Sequence, residues 1–386
     1  MIAAFFHDAP LMKYKDENYY SVGFSYNIWE RYLNTFDSII VSTRVRYINS
    51  VKSQLKLSSG ENVEFIPISK FQRNKDIIFK RTQISNQIRH SLNKADYAII
   101  RLPSFIGQIA YEESIKMKKP FIIEVVGCAR DSFWYHSNIG KLIAWSKYFA
   151  MRKAVKNSPN TIYVTSEFLQ KRYPTSGNSI NCSNVNITQL DEGILEKRLK
   201  KIANKDNNST FIIGTTAALD VKYKGQESVI KALGKLKKKG FGNFKYQLVG
   251  GGDRSYLSEL ARKYDVDEQV SFLGVMTNDN VIKWLDSIDI YIQPSKTEGL
   301  PRALIEAMSR GLFCLGSNAG GTPELLEEEY IFKKSGNNQE YIYQMLNELS
   351  REDLVKQAKT NFKKAKEYDK EKIDKRRNEF LKQITT

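Results

Sequence analysis

Acidic residues are in deficit, cysteines are scarce and scattered, and no run of apolar residues is long enough to cross a membrane. The 43 Asp+Glu against 60 Lys+Arg leave a net charge of +17. Such an excess favours anionic partners, namely nucleic acid, an acidic membrane surface or phosphorylated substrates. Cys128, Cys182 and Cys314 are odd in number, widely separated and without metal-ligand spacing, so they read as buried free thiols in a reducing cytosol. Nothing approaches the roughly 18 uninterrupted apolar residues of a membrane span. The opening Met1-Ile-Ala-Ala-Phe-Phe-His-Asp has no basic stretch before its short apolar run, so it reads as a first strand rather than a signal peptide. No short-period repeat and no extended low-complexity tract occur. A cytoplasmic protein, at most peripheral to the inner face of a membrane, is expected.

What is present is length and alternation. With 386 residues, 41% of them hydrophobic, the chain is large enough for two cores. Short apolar runs alternate with longer amphipathic ones, the pattern of parallel sheets wrapped by helices, so the fold class is α/β. In the first half, strands are expected at Ile2–Phe6, Ser38–Ser42, Val63–Ile66, Tyr97–Arg101, Phe121–Val126 and Thr161–Val164, with helices at Ile77–Leu92 and Gly107–Lys116. The polar run Lys197–Thr210 reads as a linker. A second set follows, with strands at Phe211–Gly214, Tyr246–Val249, Val270–Leu273, Ile288–Ile292 and Phe313–Leu315 and helices at Gln226–Lys238 and Ser255–Tyr264. Domains are therefore expected at 1–200 and 205–360, facing across a cleft. The tail from Gln357 to Ile384 reads as one charged helix with Ile373, Phe380, Leu381 and Ile384 on a single stripe. Its last part, 361–386, is expected to pack at the domain boundary and to cross back to the first domain.

The densest chemical signal is Gln293-Pro-Ser-Lys-Thr-Glu-Gly-Leu-Pro-Arg-Ala-Leu-Ile-Glu-Ala-Met308. A buried strand ends before a loop holding Glu298 and Gly299, and a helix follows with Pro301 in its first turn, where a missing N–H is harmless. Free amides and a positive helix end suit a diphosphate. Glu306 sits between Ile305 and Ala307 on the inward side of that helix, where an acid is costly unless it accepts hydrogen bonds. Vicinal ribose hydroxyls supply such bonds.

The two glutamates, separated by seven residues with Gly299 after the first, resemble the signature of family-4 glycosyltransferases. Further elements in the same order resemble that family. They are Gly214-Thr-Thr-Ala-Ala-Leu-Asp-Val-Lys-Tyr-Lys-Gly-Gln226, Leu248-Val-Gly-Gly-Gly-Asp253, Phe272-Leu-Gly-Val275 and Asn318-Ala-Gly-Gly-Thr-Pro-Glu324, covering about 210 to 330. The resemblance implies two Rossmann-like domains (the GT-B fold), a nucleotide-diphosphate sugar as co-substrate in the second domain, retention at the anomeric carbon, and neither an obligatory metal nor a bound cofactor. Without a metal, a positive side chain and oriented amides must neutralise the leaving diphosphate. Lys224 is assigned that role, with Glu298 beside it. Donor contacts fall to Glu306, Gly299, Leu300, Lys222, Gly274 and Val275. Where family members place an Arg after the first strand's glycine, this chain has Thr215 and Thr216, so Lys222 either takes the place of that Arg or faces solvent.

The first half is read as the acceptor domain. Tyr19-Tyr-Ser-Val-Gly-Phe-Ser-Tyr26 places Gly23 before a helix starting near Tyr26, either as an approach to the donor phosphates or as an ordinary turn. Glu124-Val-Val-Gly-Cys-Ala-Arg-Asp131 closes a strand and is expected to expose Asp131 as a third catalytic candidate, with Arg130 and His136 near sugar hydroxyls or phosphates. His7 and His90 read as structural. The segment 141–156 joins Lys141, Lys147 and Arg152 to Trp145, Tyr148, Phe149 and Met151. A basic amphipathic helix of that kind suits a membrane interface, although aromatics at helical spacing also build cores.

The leading reading is transfer of a hexose or N-acetylhexosamine, with UDP the favoured carrier, to a lipid-linked surface-glycan acceptor, the partner being a glycan or a polyprenyl-diphosphate-linked acceptor. Asn27-Ile-Trp-Glu-Arg-Tyr32 and Ile100-Arg-Leu-Pro-Ser104 resemble capsule and exopolysaccharide members of the family. A nucleotide-sugar epimerase of the same architecture is the alternative, and three histidines in the whole chain argue against it. Binding to nucleic acid is motivated by charge alone and is not expected, because no binding module is present.

Overall fold

The computed structural model describes all residues except 16, 52–54, 69–79, 186, 189, 207–208, 335 and 386. The chain forms two compact units, Met1–Cys182 together with Asp374–Thr386, and Ser183–Ile373.

In the first unit the strands are β1 (Ile2–Phe6), β2 (Leu11–Lys13), β3 (Tyr19–Ser21), β4 (Ser38–Ser42), β5 (Val45–Tyr47), β6 (Lys56–Leu57), β7 (Val63–Phe65), β8 (Tyr97–Leu102), β9 (Phe121–Val125), β10 (Asn160–Tyr163) and β11 (Asn178–Asn181). Seven of them build an all-parallel sheet in the order β11-β10-β9-β8-β1-β4-β7. The central strands are buried along their whole length, as parallel strands covered on both faces must be, and their near-continuous apolar composition follows from that. The remaining four form a small sheet, β5-β2-β3-β6. These are two- and three-residue strands with half-polar sequences, too short for a periodicity to announce them.

The second unit carries β12 (Phe211–Thr216), β13 (Phe244–Val249), β14 (Val270–Gly274), β15 (Ile290–Gln293), β16 (Phe313–Ser317) and β17 (Ile331–Phe332), again all parallel, in the order β14-β13-β12-β15-β16-β17. Numbered from its own first strand, that order is 3-2-1-4-5-6, the doubly wound Rossmann arrangement, and the first unit repeats it with one strand added. Each sheet reverses direction between its first and fourth strands. Ligands bind beyond the strand ends at such a point, which in the second unit lies past Thr216 and Gln293.

Two expectations are corrected. The segment expected as a linker contains the end of a helix, Glu192–Ala203, that belongs to the second unit. Ile194 and Ile202 are buried, and the buried Arg198 guanidinium donates to the carbonyls of Arg310, Ile288 and Leu285 at 2.7–3.0 Å. The many lysines of this stretch conceal that inward stripe. The tail is two helices, Arg351–Ala365 and Lys370–Thr385, divided by a 3-10 turn at Lys366–Tyr368 and an extended Asp369. Ile373, Phe380 and Leu381 are buried as the stripe implies, and Arg377 is buried with them. The first of the expected helices begins at Arg81; its residues 77–79 lie outside the described residues.

Candidate active site

The second unit's switch point is built by three loops. After β12 the chain makes a 3-10 turn, Lys222–Lys224, and reaches Gly225 in the left-handed conformation at φ 75°. A Cβ at Gly225 would lie 2.0 Å from the Pro294 carbonyl oxygen, so only glycine lets this turn close on the end of β15. The Lys296 amide donates to the Tyr223 carbonyl at 2.7 Å and locks the two loops together. On the third loop, Gly320 sits at φ 58°, with its missing Cβ 2.2 Å from the Glu298 carbonyl oxygen, and the Gly321 amide donates to the Gly299 carbonyl at 2.6 Å.

Within this frame Lys224 Nζ donates to Glu298 Oε1 at 2.7 Å, with the two side chains 22% and 13% exposed. Gln293 Nε2, at the buried end of β15, donates to the same oxygen at 3.1 Å and to Ser295 Oγ at 2.9 Å. The Tyr291 hydroxyl donates to Gln293 Oε1 at 3.0 Å and accepts from the Thr216 amide at 3.3 Å. A chain of hydrogen bonds therefore runs from the end of β12 to the Lys224–Glu298 pair. Gln293 and Tyr291 had no distinguishing sequence signal, because a polar tip at the end of an apolar strand looks like a simple strand terminus.

The helix after the loop runs Arg302–Met308, with Pro301 as its N-cap. Leu304, Ile305, Ala307 and Met308 are buried, and Glu306 is half-buried among them. Its carboxylate makes no hydrogen bond to any described residue, and burial raises its pKa above the ordinary carboxylate value, offset in part by Arg302. An acid held this way at a sheet's switch point is poised to accept hydrogen bonds from a ligand.

Lys222 points elsewhere. It is exposed, with its Nζ 4.5 Å from the Tyr256 ring centroid, beside a cavity of about 110 Å³ that Asp220, Glu227 and Asp253 also line. Neither Lys224 nor Glu298 lines that cavity. Gly274 ends β14 at φ 74° and Val275 beyond it is 52% exposed, both at the strand-end rim. Leu300 is buried and Gly299 half-buried.

In the first unit Gly23 lies exposed between β3 and the helix Tyr26–Leu33, its amide donating to Ser21 Oγ. Asp131 corrects the expectation of an exposed acid. It is 3% exposed at the start of the helix Ala129–His136, and its Oδ1 accepts from Arg172 Nη1 at 3.0 Å. Cys128 Sγ, 3.3 Å from the Tyr173 hydroxyl, also accepts from Arg172, and against the lowering effect of burial the sulfur and the acid together push the guanidinium pKa up. His136 and Lys141 are exposed, and Arg130 lies 4.4 Å over the Trp145 ring. Lys147 is half-buried over Phe105, and Arg152 donates to the Tyr148 hydroxyl and the Arg172 carbonyl.

At this unit's own switch point His7 and Asp8 follow β1. Asp8 accepts from the amides of Phe105 and Ile106 at 2.7 and 2.8 Å, capping the helix Phe105–Lys116. His7 accepts from the Ala9 amide at 3.1 Å, and burial with Arg101 and Arg44 nearby lowers its pKa to about 3. Glu124 is buried on β9, takes a hydrogen bond from the Tyr32 hydroxyl at 2.7 Å and faces Arg101 at 3.7 Å. Among the described residues no cluster of His, Cys, Asp or Glu forms a metal site, and no helix is long and apolar enough to cross a membrane.

Comparison with known proteins joins these features to a family. The family model for glycosyl transferases group 1 matches residues 196–367, which contain the whole switch-point frame. Protein CapJ of Staphylococcus aureus is 37% identical over 332 residues, 85% of this chain and 82% of the relative. The amylovoran biosynthesis glycosyltransferase AmsK of Erwinia amylovora is 36% identical over 111 residues, 27% of each chain. Among solved structures, sucrose-phosphate synthase from Thermosynechococcus elongatus superposes with a TM-score of 0.70 at 14% identity, covering 100% of this chain and 98% of that one. Anabaena HepE in complex with UDP gives 0.64 at 14% identity, covering 99% and 100%. These last two show the fold, which is that of GT-B enzymes. Family membership decides for transfer over the epimerase and nucleic-acid readings: the chain belongs to the group 1 glycosyl transferases.

Proposed function

We propose that this glycosyltransferase moves a hexose or N-acetylhexosamine, with retention of anomeric configuration, from a UDP-sugar to a surface-glycan acceptor carried on a polyprenyl diphosphate. The observation that carries the donor half is the pairing of Lys224 with Glu298 at 2.7 Å, beside a half-buried Glu306 whose carboxylate has no hydrogen-bond partner among the described residues. Glu306 accepts the two ribose hydroxyls. Gly299 and Leu300 offer backbone to the diphosphate, and Gly274 and Val275 border the base. Lys224 transfers its interaction from Glu298 to the diphosphate oxygens as the glycosidic bond breaks and charge accumulates there. Lys222 faces Tyr256 and is left out of this set. That HepE was solved with UDP supports UDP as carrier.

In the first unit Arg130, His136, Lys141, Trp145, Lys147 and Arg152 contribute contacts to acceptor or membrane. Asp131, held by Arg172, is assigned to keeping the helix Ala129–His136 in place rather than to catalysis. The role of AmsK in amylovoran biosynthesis supports a polysaccharide product. Incubation with a UDP-sugar and a prenyl-diphosphate-linked sugar, followed by proton NMR of the product, tests the reading. A product with the donor's anomeric configuration supports it, and an inverted product refutes the retaining mechanism.

A further inference from the structure

The first unit's longest helix, Asn138–Lys156, has a buried face and an unusually apolar outer one. Gly140, Ala144, Met151, Ala154 and Val155 face inward. On the opposite side Leu142 is 83% exposed, Ile139 73%, Phe149 60% and Trp145 47%. Steps of three to four residues set these side chains along one ridge, nearly three turns long. Leaving four large apolar groups in water on consecutive turns is costly for a monomer and marks a contact surface. Of the stripe that the sequence pattern also allowed as core, Met151 is buried and Tyr148 half-buried, whereas Trp145 and Phe149 are exposed.

The charge around the ridge identifies what fits it. No Asp or Glu stands between Asp131 and Glu167, whereas Lys141, Lys147, Arg152, Lys153 and Lys156 do. Lys141, Lys153 and Lys156 are exposed on the ridge's own helix, and Arg130 caps the Trp145 face from the preceding helix. Trp145 and Phe149 stack with centroids 6.0 Å apart, presenting a rigid aromatic edge. A second protein would need acids to match this rim. A bilayer with anionic headgroups matches both the rim and the ridge, the basic side chains lying at headgroup level while the apolar ones enter the acyl boundary.

We propose that the outer face of the helix Asn138–Lys156 is a docking surface for an anionic lipid bilayer, with Ile139, Leu142, Trp145 and Phe149 as the inserting residues. This rests on the reading that the acceptor is lipid-linked, since membrane docking brings the first unit to such an acceptor.

The test is co-sedimentation of the full chain with vesicles of phosphatidylcholine alone and of phosphatidylcholine with an equal part of phosphatidylglycerol, for the parent protein and for L142Q/F149Q. Both positions are exposed, so the variant keeps the fold, checked by circular dichroism. Binding to the mixed vesicles, weakened by high salt and reduced at least about tenfold in the variant, is expected. A tenfold change corresponds to about 1.4 kcal/mol, less than the full burial of one such side chain. Equal binding of parent and variant, or no binding to the mixed vesicles, overturns the proposal. So does a concentration-dependent dimer that the variant abolishes without vesicle binding, which would assign the ridge to a second copy. UDP titration of the same two proteins separates this from the donor site: unchanged nucleotide binding with lost vesicle binding supports the docking surface alone.

Discussion

Replacing Lys224 by alanine probes the donor site most sharply, because the same ammonium serves the resting protein and the reaction differently. In the resting protein Lys224 neutralises Glu298 at 2.7 Å, and Gln293 remains on the same oxygen at 3.1 Å when the lysine is gone. Both partners retain some solvent contact, so the stability loss is expected near ~1 kcal/mol, nearer the exposed than the fully buried limit. In the reaction the leaving diphosphate gains charge that it lacks in the bound donor. Removing one preorganised donor at such a place typically costs about 10² to 10³ in kcat, or roughly 2.7–4 kcal/mol. Lys224→Ala is therefore expected to lower kcat by that factor while KM for the donor rises by about tenfold or less, since the ground-state share is a single hydrogen bond to a charged group. Steady-state kinetics with a UDP-sugar, at a temperature where the variant is folded by circular dichroism, reads both numbers. An unchanged kcat with only a raised KM would show that Lys224 binds donor and transition state alike, and its assigned role would be wrong.

Other consequences follow from buried titratable groups. Glu306→Gln is expected to weaken UDP binding by about tenfold or more, as an acceptor of ribose hydroxyls loses its charge, and calorimetry measures it. Burial raises the Glu306 pKa, so the folded chain holds that proton more tightly than the unfolded one and the ionised acid costs stability at neutral pH. Glu306→Gln should therefore raise Tm at pH 7, and the gain should vanish as the pH falls below the ordinary carboxylate value of 4.5. Asp131→Ala leaves Arg172 without its buried carboxylate and should destabilise the fold by about 3 kcal/mol in urea denaturation while leaving UDP affinity unchanged; a loss of affinity with stability intact would restore a direct role for Asp131. His7, with its pKa lowered to about 3 from 6.5, takes up a proton only on unfolding across the interval between. Its share of stability is complete above pH 6.5 and declines as the pH falls toward 3, and its ring nitrogens should show no titration by NMR between pH 5 and 8.

Much of this architecture was legible because parallel strands covered on both faces are written as short apolar runs. Tyr246–Val249 and Phe313–Leu315 stand out on that ground, and the helix Gln226–Lys238 matches its expected bounds residue for residue. What escaped notice was structure whose stability comes from outside its own segment. The helix Glu192–Ala203 is held by Arg198 reaching three distant carbonyls, and composition in that stretch speaks only of lysine. The tail breaks at Asp369, where no Gly or Pro announces a stop. In the site, the glycines and glutamates between Glu298 and Glu306 carried their own signal, since few arrangements place two acids around a glycine turn at the mouth of a sheet. Gln293 and Tyr291, which orient the pair, were silent because a polar residue at the end of an apolar strand looks like a simple terminus, and of their side-chain hydrogen bonds only the one from the Thr216 amide to the Tyr291 hydroxyl reaches a distant strand. Asp131 misled for a related reason. Its partner Arg172 lies on another helix, and an acid at the start of a helix reads as exposed until that partner is found.

The central claim is that the loops around Lys224, Glu298 and Glu306 bind a nucleoside diphosphate. Calorimetric titration of the folded full chain with UDP, GDP, ADP and CMP, without added metal, tests it directly. Selective binding of UDP, weakened in Glu306→Gln, is the predicted result, and failure of all four nucleotides to bind would contradict the account.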